Sequence, residues 1–399
     1  MENRDIIIVG QQAWDTEIGS NCKNIALEFA KKNRVLYVNP PLDRITKYRD
    51  GNDPKIQKRL HILSGAESGL VQISKNLHNL YPDCLIESIN WIRNNFVFDF
   101  FNKGNNEKFA KSIISALKDL GFSNYVLFND NDIFRSFYLK ELLMPVISIY
   151  YSRDNMVATD YWKRHGLVLE PKLIAKSDIC VANSEYLKNY CKKYNSNSHY
   201  VGQGCDFSLF ANVKLNEVVK ETQQLDSFII GYVGVLTESR LDINLIHSIA
   251  VTKPDWNIVL VGPEDEGFKN SKLHNLSNIH FLGPKRPEDL PQYINSFDVC
   301  INPQILNDLT IGNYPRKIDE YLALGKPTVA TKTESMDVFK DYVSLVTNHV
   351  EYINAVEILL SNNNDELIQS RKQFALSHTW ENSVQLIYKE IEHTLNNRS

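Results

Sequence analysis

The sequence predicts an α/β protein built from two doubly wound halves, each a parallel sheet with helices on both faces. Three observations carry this. Short apolar runs ending in glycine or a polar residue recur along the chain, the mark of buried parallel strands. Amphipathic helical stretches separate them. The alternation fades over a polar stretch at 211–227, "ANVKLNEVVKETQQLDS", and then begins again. At 399 residues the chain exceeds one ordinary core, so two to three domains are expected.

"DIIIVG" is the first strand, and Ser20 is placed to cap a helix through "NCKNIALEFAKK", with Ile25, Ala26, Phe29 and Ala30 on one stripe. "RVLYVNPP" is a second strand closed by prolines, and "GLVQIS" a third. "KFAKSIISALKDLG" reads as a helix with Gly121 as its stop. The strands "YVLFND", "VISIYY", "DICVAN" and "SHYVGQG" complete the half that spans 1–210. After the 211–227 linker come "FIIGYVG", "NIVLVG", "IHFLG", "DVCIN", "PTVAT" and "VSLVT". Helices are expected between them near 241–252, 287–296, 315–324 and 350–361, within a second half at 228–378. "TWENSVQLIYKEIEHTLNN", in the segment 379–399, is a final helix of about five turns.

Composition narrows the function. With 43% hydrophobic and 23% charged residues the chain is globular, and a net charge of −4 offers no global basic field for nucleic acid. Six cysteines without a C-x-x-C pair read as reduced thiols of a cytosolic protein. "MENRDIIIVG" runs straight into a strand, so no signal peptide is expected. No apolar run approaches the roughly 20 residues that span a bilayer, which leaves peripheral contact as the form any membrane association would take.

"NYPRKIDEYLALGKP" places two cations in the opening turn of a helix, where the macrodipole favours anions. Asn313 reads as its N-cap, Pro315 as a first-turn residue and Gly325 as its stop. Lys317 in the first turn is explained if an anion docks there, and a diphosphate fits. Glu320, one turn on, would then accept hydrogen bonds from vicinal ribose hydroxyls. The alternative is a solvated face with an exposed Lys–Glu pair. "GYVGVLTESR" adds Gly231 and Gly234 around a strand-to-helix turn and Arg240 at the next helix start, a second phosphate-type turn in the same half.

These stretches, with "PDWNIVLVGP", "LPQYINSFDVCINP", "VGQGCDFSLF" and "GSNCKNIALEFAKKNRVLYVNPPLDR", resemble the GT-B-fold glycosyltransferases of group 1, the retaining class. Bacterial enzymes of surface-polysaccharide biosynthesis, of the teichuronic-acid type, carry the likeness best, and it covers nearly the whole chain. It implies two Rossmann-like domains facing across a cleft, an N-terminal acceptor domain and a C-terminal donor domain. The last helix would cross back to the first domain. It also implies a nucleotide-sugar donor, expected to be UDP-linked, as co-substrate, with no separate cofactor and no metal. A glycan or lipid-linked acceptor would be met in the cytoplasm or at the inner face of the membrane.

By the same resemblance Glu320 holds the donor ribose, while Lys317 and Arg240 hold the diphosphate, with Gly234 allowing close approach. Backbone groups around Pro284, Lys285 and Arg286 meet the base, and Asn307 and Thr310 lie near the diphosphate or sugar. Many retaining members carry two glutamates separated by seven residues; here Gly312 stands at the first.

Glycosyl transfer develops negative charge on the leaving diphosphate, which Lys317 and Arg240 would stabilise as catalytic cations. An inverting enzyme also needs a base for the acceptor hydroxyl. Asp154, after the strand "VISIYY", is the candidate; a turn-capping role is the alternative. Arg153 would bind an acidic acceptor or pair with Asp154. Gly19, Ser20 and Asn21 could bind an acceptor phosphate, and Trp14 could stack on a sugar; a plain capping loop is the alternative. "NDND" at 129–132 more readily caps a helix "IFRSFYLKELL" than binds metal. The aromatic-rich 84–101 is either core or an interfacial segment. A nucleotide-sugar epimerase and a non-catalytic nucleotide-sugar binder are the competing functions; the first needs cleft carboxylates with a histidine, a set this sequence does not display.

Overall fold

The computed structural model describes residues 1–16, 19–210 and 219–397. The chain forms two compact units, Met1–Gly202 with Trp380–Ser399, and Gln203–Thr379.

In unit 1 the chain runs β1 (Asp5–Val9), α1 (Asn21–Ala30), β2 (Arg34–Val38), β3 (Leu42–Asp43), α2 (Arg44–Arg49) and α3 (Pro54–Leu63). It continues through β4 (Leu70–Ser74), β5 (Leu77–Leu80), β6 (Leu85–Ile86), α4 (Asn95–Leu120), β7 (Val126–Asp130) and α5 (Leu139–Leu143). β8 (Ile147–Ser152), α6 (Asp160–Lys176), β9 (Ile179–Ala182), α7 (Glu185–Lys192) and β10 (Ser198–Tyr200) follow. The main sheet has the order β10-β9-β8-β7-β1-β2-β5-β4, parallel except for the β4–β5 hairpin at its edge. Every residue of β1 is buried, as a strand covered on both faces requires.

Three local expectations are corrected. "GLVQIS" is a strand as expected, β4, but half exposed and antiparallel to β5, whose polar "LHNL" hid that edge hairpin. The helix over "IFRSFYLKELL" shrinks to α5. Asn129 Oδ1 accepts the Asp132 amide at 2.9 Å, and Asp132 Oδ1 accepts the Arg135 amide at 3.0 Å. These side-chain turns compete with helical hydrogen bonding over the intervening residues. The helix ending at Gly121 begins far earlier, at Asn95, where Asn94 Oδ1 accepts the amides of Phe96 and Val97. The aromatic segment therefore divides: Ile92 and Phe98 enter a core, while Trp91, Phe96 and Phe100 stay exposed.

Unit 1 is completed by α14 (Trp380–Asn396), which follows all of unit 2 in sequence. Its stripe of Trp380, Val384, Ile387, Tyr388 and Ile391 joins Ile6, Ile8, Phe29 and Val35 in one core. Tyr388 packs on Phe29 at 5.4 Å and accepts a hydrogen bond from Asn33 Nδ2 at 2.8 Å. Ile391→Ala is expected to cost about 3 kcal/mol of unit 1 stability, read as a lower urea midpoint, because a fully buried side chain leaves a cavity.

Unit 2 holds β11 (Ile229–Val233), α8 (Ile243–Thr252), β12 (Asn257–Val261), α9 (Glu266–Lys269), β13 (Ile279–Gly283), α10 (Leu290–Asn295) and β14 (Val299–Asn302). α11 (Lys317–Ala323), β15 (Thr328–Thr331), β16 (Ser344–Val346), α12 (His349–Ser361) and α13 (Asp365–Leu376) close it. The all-parallel order β13-β12-β11-β14-β15-β16 is, within the unit, 3-2-1-4-5-6, the doubly wound order of dinucleotide-binding sheets. Of the linker expected at 211–227, residues 211–218 lie outside the described residues. The rest is not a free linker: Val219 and Leu225 pack on the unit 2 core and Thr222 is buried.

Candidate functional site

The strand order of unit 2 reverses between β11 and β14, and ligands of such sheets bind outside the carboxyl ends at that point. β11 delivers Gly234 there, and the connection after β14 delivers α11. The two meet. A Cβ built on Gly234, whose φ is +144°, would lie 2.7 Å from Lys317 Nζ. The Lys317 ammonium also bonds to the Tyr232 hydroxyl and sits 3.9 Å from the Tyr232 ring centroid. Gly262, after β12, backs this turn: a Cβ there would come within 1.9 Å of the Gly234 carbonyl. Gly231 serves another purpose than phosphate approach. It lies inside β11, where a Cβ would strike the Phe297 ring at 2.0 Å.

Asn313 does not cap α11. Arg316 occupies the cap position with helical angles and no side-chain cap, and α11 has only seven residues. The chain enters through a tight turn, Arg316 N to Tyr314 O at 3.1 Å and Ile318 N to Pro315 O at 2.9 Å, which delays the regular helix. Glu320 therefore stands in the first turn rather than one turn deeper. Its side chain is 22% exposed, and its nearest cation is Arg316 at 3.6 Å. Asp319, unforeseen, is fully buried and holds the turn by accepting from Tyr314 Oη at 2.8 Å and meeting His378 Nδ1 at 2.7 Å. The run "KIDEYL" shows two adjacent acids, but only the partner 59 residues away tells which one turns inward.

Burial raises the Glu320 carboxyl above its ordinary 4.5, against the pull of Arg316 and Lys317. A carboxyl raised on folding favours the folded state while protonated, and that contribution is lost as pH climbs from 4.5 through the raised value. Glu320→Gln is thus expected to remove this loss and leave a more stable protein at neutral pH, measured as urea midpoints across a pH series.

Arg240 lies in an exposed turn three residues before α8, not at its start, and among the described residues its guanidinium has no hydrogen-bond or ion-pair partner. Its carbonyl accepts from Ile305 N at 2.9 Å, and Asn307 Nδ2 donates to Ser239 O at 2.9 Å, so the loops after β11 and β14 are tied together beside the site. Thr310 is corrected as a ligand contact: it is fully buried, with its hydroxyl turned onto the backbone carbonyls of Ile305 and Asn307. Pro284, Lys285 and Arg286 form the turn after β13. Lys285 pairs with Glu221 at 3.0 Å and Arg286 with Asp289 at 2.9 Å, so both side-chain charges have partners within unit 2.

In unit 1, Arg153 takes the second of its two expected roles: it pairs with Asp154 at 2.7 Å and, in addition, with Asp130 at 2.8 Å, with its side chain mostly buried. Asn131, with φ +54°, accepts both the Arg153 and Asp154 amides and fixes that turn. Ser20 precedes α1 but makes no side-chain cap, and among the described residues its buried hydroxyl has no hydrogen-bond partner. Asn21 opens α1, and Gly19 before it is exposed, with open space where a Cβ would stand. Trp14 lies edge-on to Tyr37 at 5.1 Å, with Lys23 Nζ 5.5 Å from its ring, and is partly buried against the core. Among the described residues no group of three or more His, Cys, Asp or Glu side chains is disposed to hold a metal ion.

Residues 227–362 match the family described as glycosyl transferases group 1. This segment is a group 1 glycosyltransferase domain. It contains Gly234, Arg240, Lys317 and Glu320. Over 266 residues, 59% of the chain, the protein is 28% identical to the Bacillus subtilis (strain 168) teichuronic acid biosynthesis glycosyltransferase TuaH, of whose length 66%, just under two thirds, is covered. The sucrose-phosphate synthase of Thermosynechococcus elongatus superposes with a TM-score of 0.66 at 15% identity, covering 100% of both chains. Anabaena HepE, solved in complex with UDP and glucose, gives 0.62 at 15% identity over 98% of this chain and 100% of its own. The fold is GT-B, with two Rossmann-like domains of which the group 1 domain is the second. Among the described residues no helix is long and apolar enough to cross a membrane.

Proposed function

We propose that the protein transfers a sugar from a UDP-sugar to a glycan or lipid-linked acceptor in surface-polysaccharide biosynthesis, without a metal, in the cytoplasm or in peripheral contact with the inner face of the membrane. The observation that carries the donor half is the Lys317 ammonium held at Gly234, where a doubly wound sheet receives its ligand. There the ammonium neutralises the leaving diphosphate as the anomeric C–O bond breaks, and Arg240, free at the neighbouring turn, closes on the same charge. Glu320 takes the ribose hydroxyls, and the 284–286 backbone meets the base. The family match, the complexes of HepE with UDP and with UDP-glucose, and the name of TuaH support the reading.

A thermal-shift panel of nucleotides tests it. Ligand at 100 times its Kd adds about 2.7 kcal/mol of stability, so UDP should raise the melting temperature clearly. A panel in which no nucleoside diphosphate does so removes the donor site. Slow hydrolysis of a UDP-sugar without acceptor separates a transferase from a mere binder. If transfer inverts the anomeric centre, Asp154 is the base for the acceptor hydroxyl. Asp154→Asn is expected to lower kcat with donor KM unchanged, and full turnover would return Asp154 to its structural ion pair.

A further inference from the structure

Unit 2 contains a cavity of about 600 Å³ at the β16 edge of its sheet, three strands along from β11 and the turn that holds Lys317. Its volume lies in the range of small-molecule sites. It is bounded by the 332–343 segment after β15, by β16, and by α12 and α13. Gly234, Arg240, Lys317 and Glu320 take no part in its lining.

The lining includes Arg371, which is 5% exposed. A buried cation ordinarily has an acidic partner. Arg59 and Arg153, each with 11% of its side chain exposed, have theirs in Asp15 and Asp130. Arg371 meets no carboxylate among the described residues: its Nη1 donates to Gly325 O at 3.3 Å and to Asn363 Oδ1 at 2.8 Å. Its Nε and Nη2 have no acceptor among the described residues, and neither is sealed from solvent. That edge of a guanidinium grips a carboxylate or a phosphate through two parallel N–H···O bonds. Burial lowers the guanidinium pKa from its ordinary value, and no acid opposes the shift.

The rest of the lining narrows the ligand. Lys332 and Lys340 are exposed, and among the described residues neither ammonium has an ion-pair partner. Three cations suit a dianionic phosphate better than the single charge of a carboxylate. Asp337 and Asp341 line the same space, also without ion-pair partners among the described residues. They repel a long polyanion but accept hydrogen bonds from hydroxyls. Leu345 and Leu359 add apolar surface for a short carbon skeleton.

We propose that this pocket binds a small hydroxylated phosphomonoester, its phosphate on the Nε–Nη2 edge of Arg371 and on Lys332 and Lys340, its hydroxyls on Asp337 and Asp341. The site is separate from the donor site and does not depend on the donor reading.

Calorimetry on the full chain tests it, with glycerol 3-phosphate, ribose 5-phosphate, glucose 6-phosphate, inorganic phosphate and glucuronate, each titrated with and without saturating UDP. At least one phosphomonoester is expected to bind more tightly than inorganic phosphate or glucuronate, and equally well with UDP present. Arg371→Lys keeps the charge and removes the two-pronged edge, so binding should weaken about tenfold or more, the worth of one hydrogen bond to a charged group. The double variant Lys332→Glu/Lys340→Glu changes only exposed side chains, so it should fold as the parent does and lose phosphomonoester binding with UDP affinity unchanged. A silent panel, binding that UDP abolishes, binding that survives both variants, or a preference for inorganic phosphate or glucuronate overturns the site. Failure of the unsubstituted chain to bind UDP strikes the donor reading instead, and the two variants still decide the phosphate site.

Discussion

Lys317→Ala is expected to weaken UDP binding by about 10- to 150-fold, the worth of one charge-assisted hydrogen bond. Turnover should fall further, by about 10²–10³, because the leaving diphosphate carries more charge in the transition state than in the ground state. Calorimetry with UDP and initial rates of donor hydrolysis read the two effects separately. Folding should change little: Tyr232 keeps a contact from its hydroxyl to Val235 O at 3.4 Å. Unaltered UDP affinity would make Lys317 a strut for the Tyr232 ring and nothing more.

Gly262→Ala is expected to be the most damaging single-methyl change near the site. The residue sits at φ +148°, and its new Cβ would meet the Gly234 carbonyl oxygen at 1.9 Å. That neighbour is backbone, bound in turn through Gly234 N to Val261 O at 2.9 Å, so it has no flexible end to withdraw. Strain and displacement together should cost about 3 kcal/mol. Because the atom struck belongs to the turn that faces Lys317, UDP affinity should fall with stability. A variant that melts normally and binds UDP normally would show that the β11 and β12 turns are not coupled.

The alternation of strands and helices was legible because covered parallel strands leave a continuous apolar run, as "DIIIV" and "NIVLV" do. Gly121 was legible as a helix stop for the same local reason: it adopts φ +61°. Where local signals competed with tertiary partners the reading failed. Asn313 has the chemistry of a cap, but Tyr314 and Pro315 impose a tight turn and the helix starts at Lys317. Thr310 has the hydroxyl of a ligand contact, but the loop consumed it. Lys317 and Gly234 could be paired from the sequence as parts of one family motif, whereas the Tyr232 ring beneath the ammonium could not, since nothing local marks which tyrosine faces a lysine 85 residues away.

The interleaved order of the two units has a consequence for synthesis. Unit 2 is one uninterrupted stretch, Gln203–Thr379, and can condense as soon as it is made. Unit 1 cannot bury Phe29, Ile6 and Ile8 fully until Trp380, Ile387 and Ile391 are translated. The usual vectorial sequence, amino-terminal body first, is therefore inverted. During elongation the nascent N-terminal sheet carries an uncovered greasy flank until α14 is made.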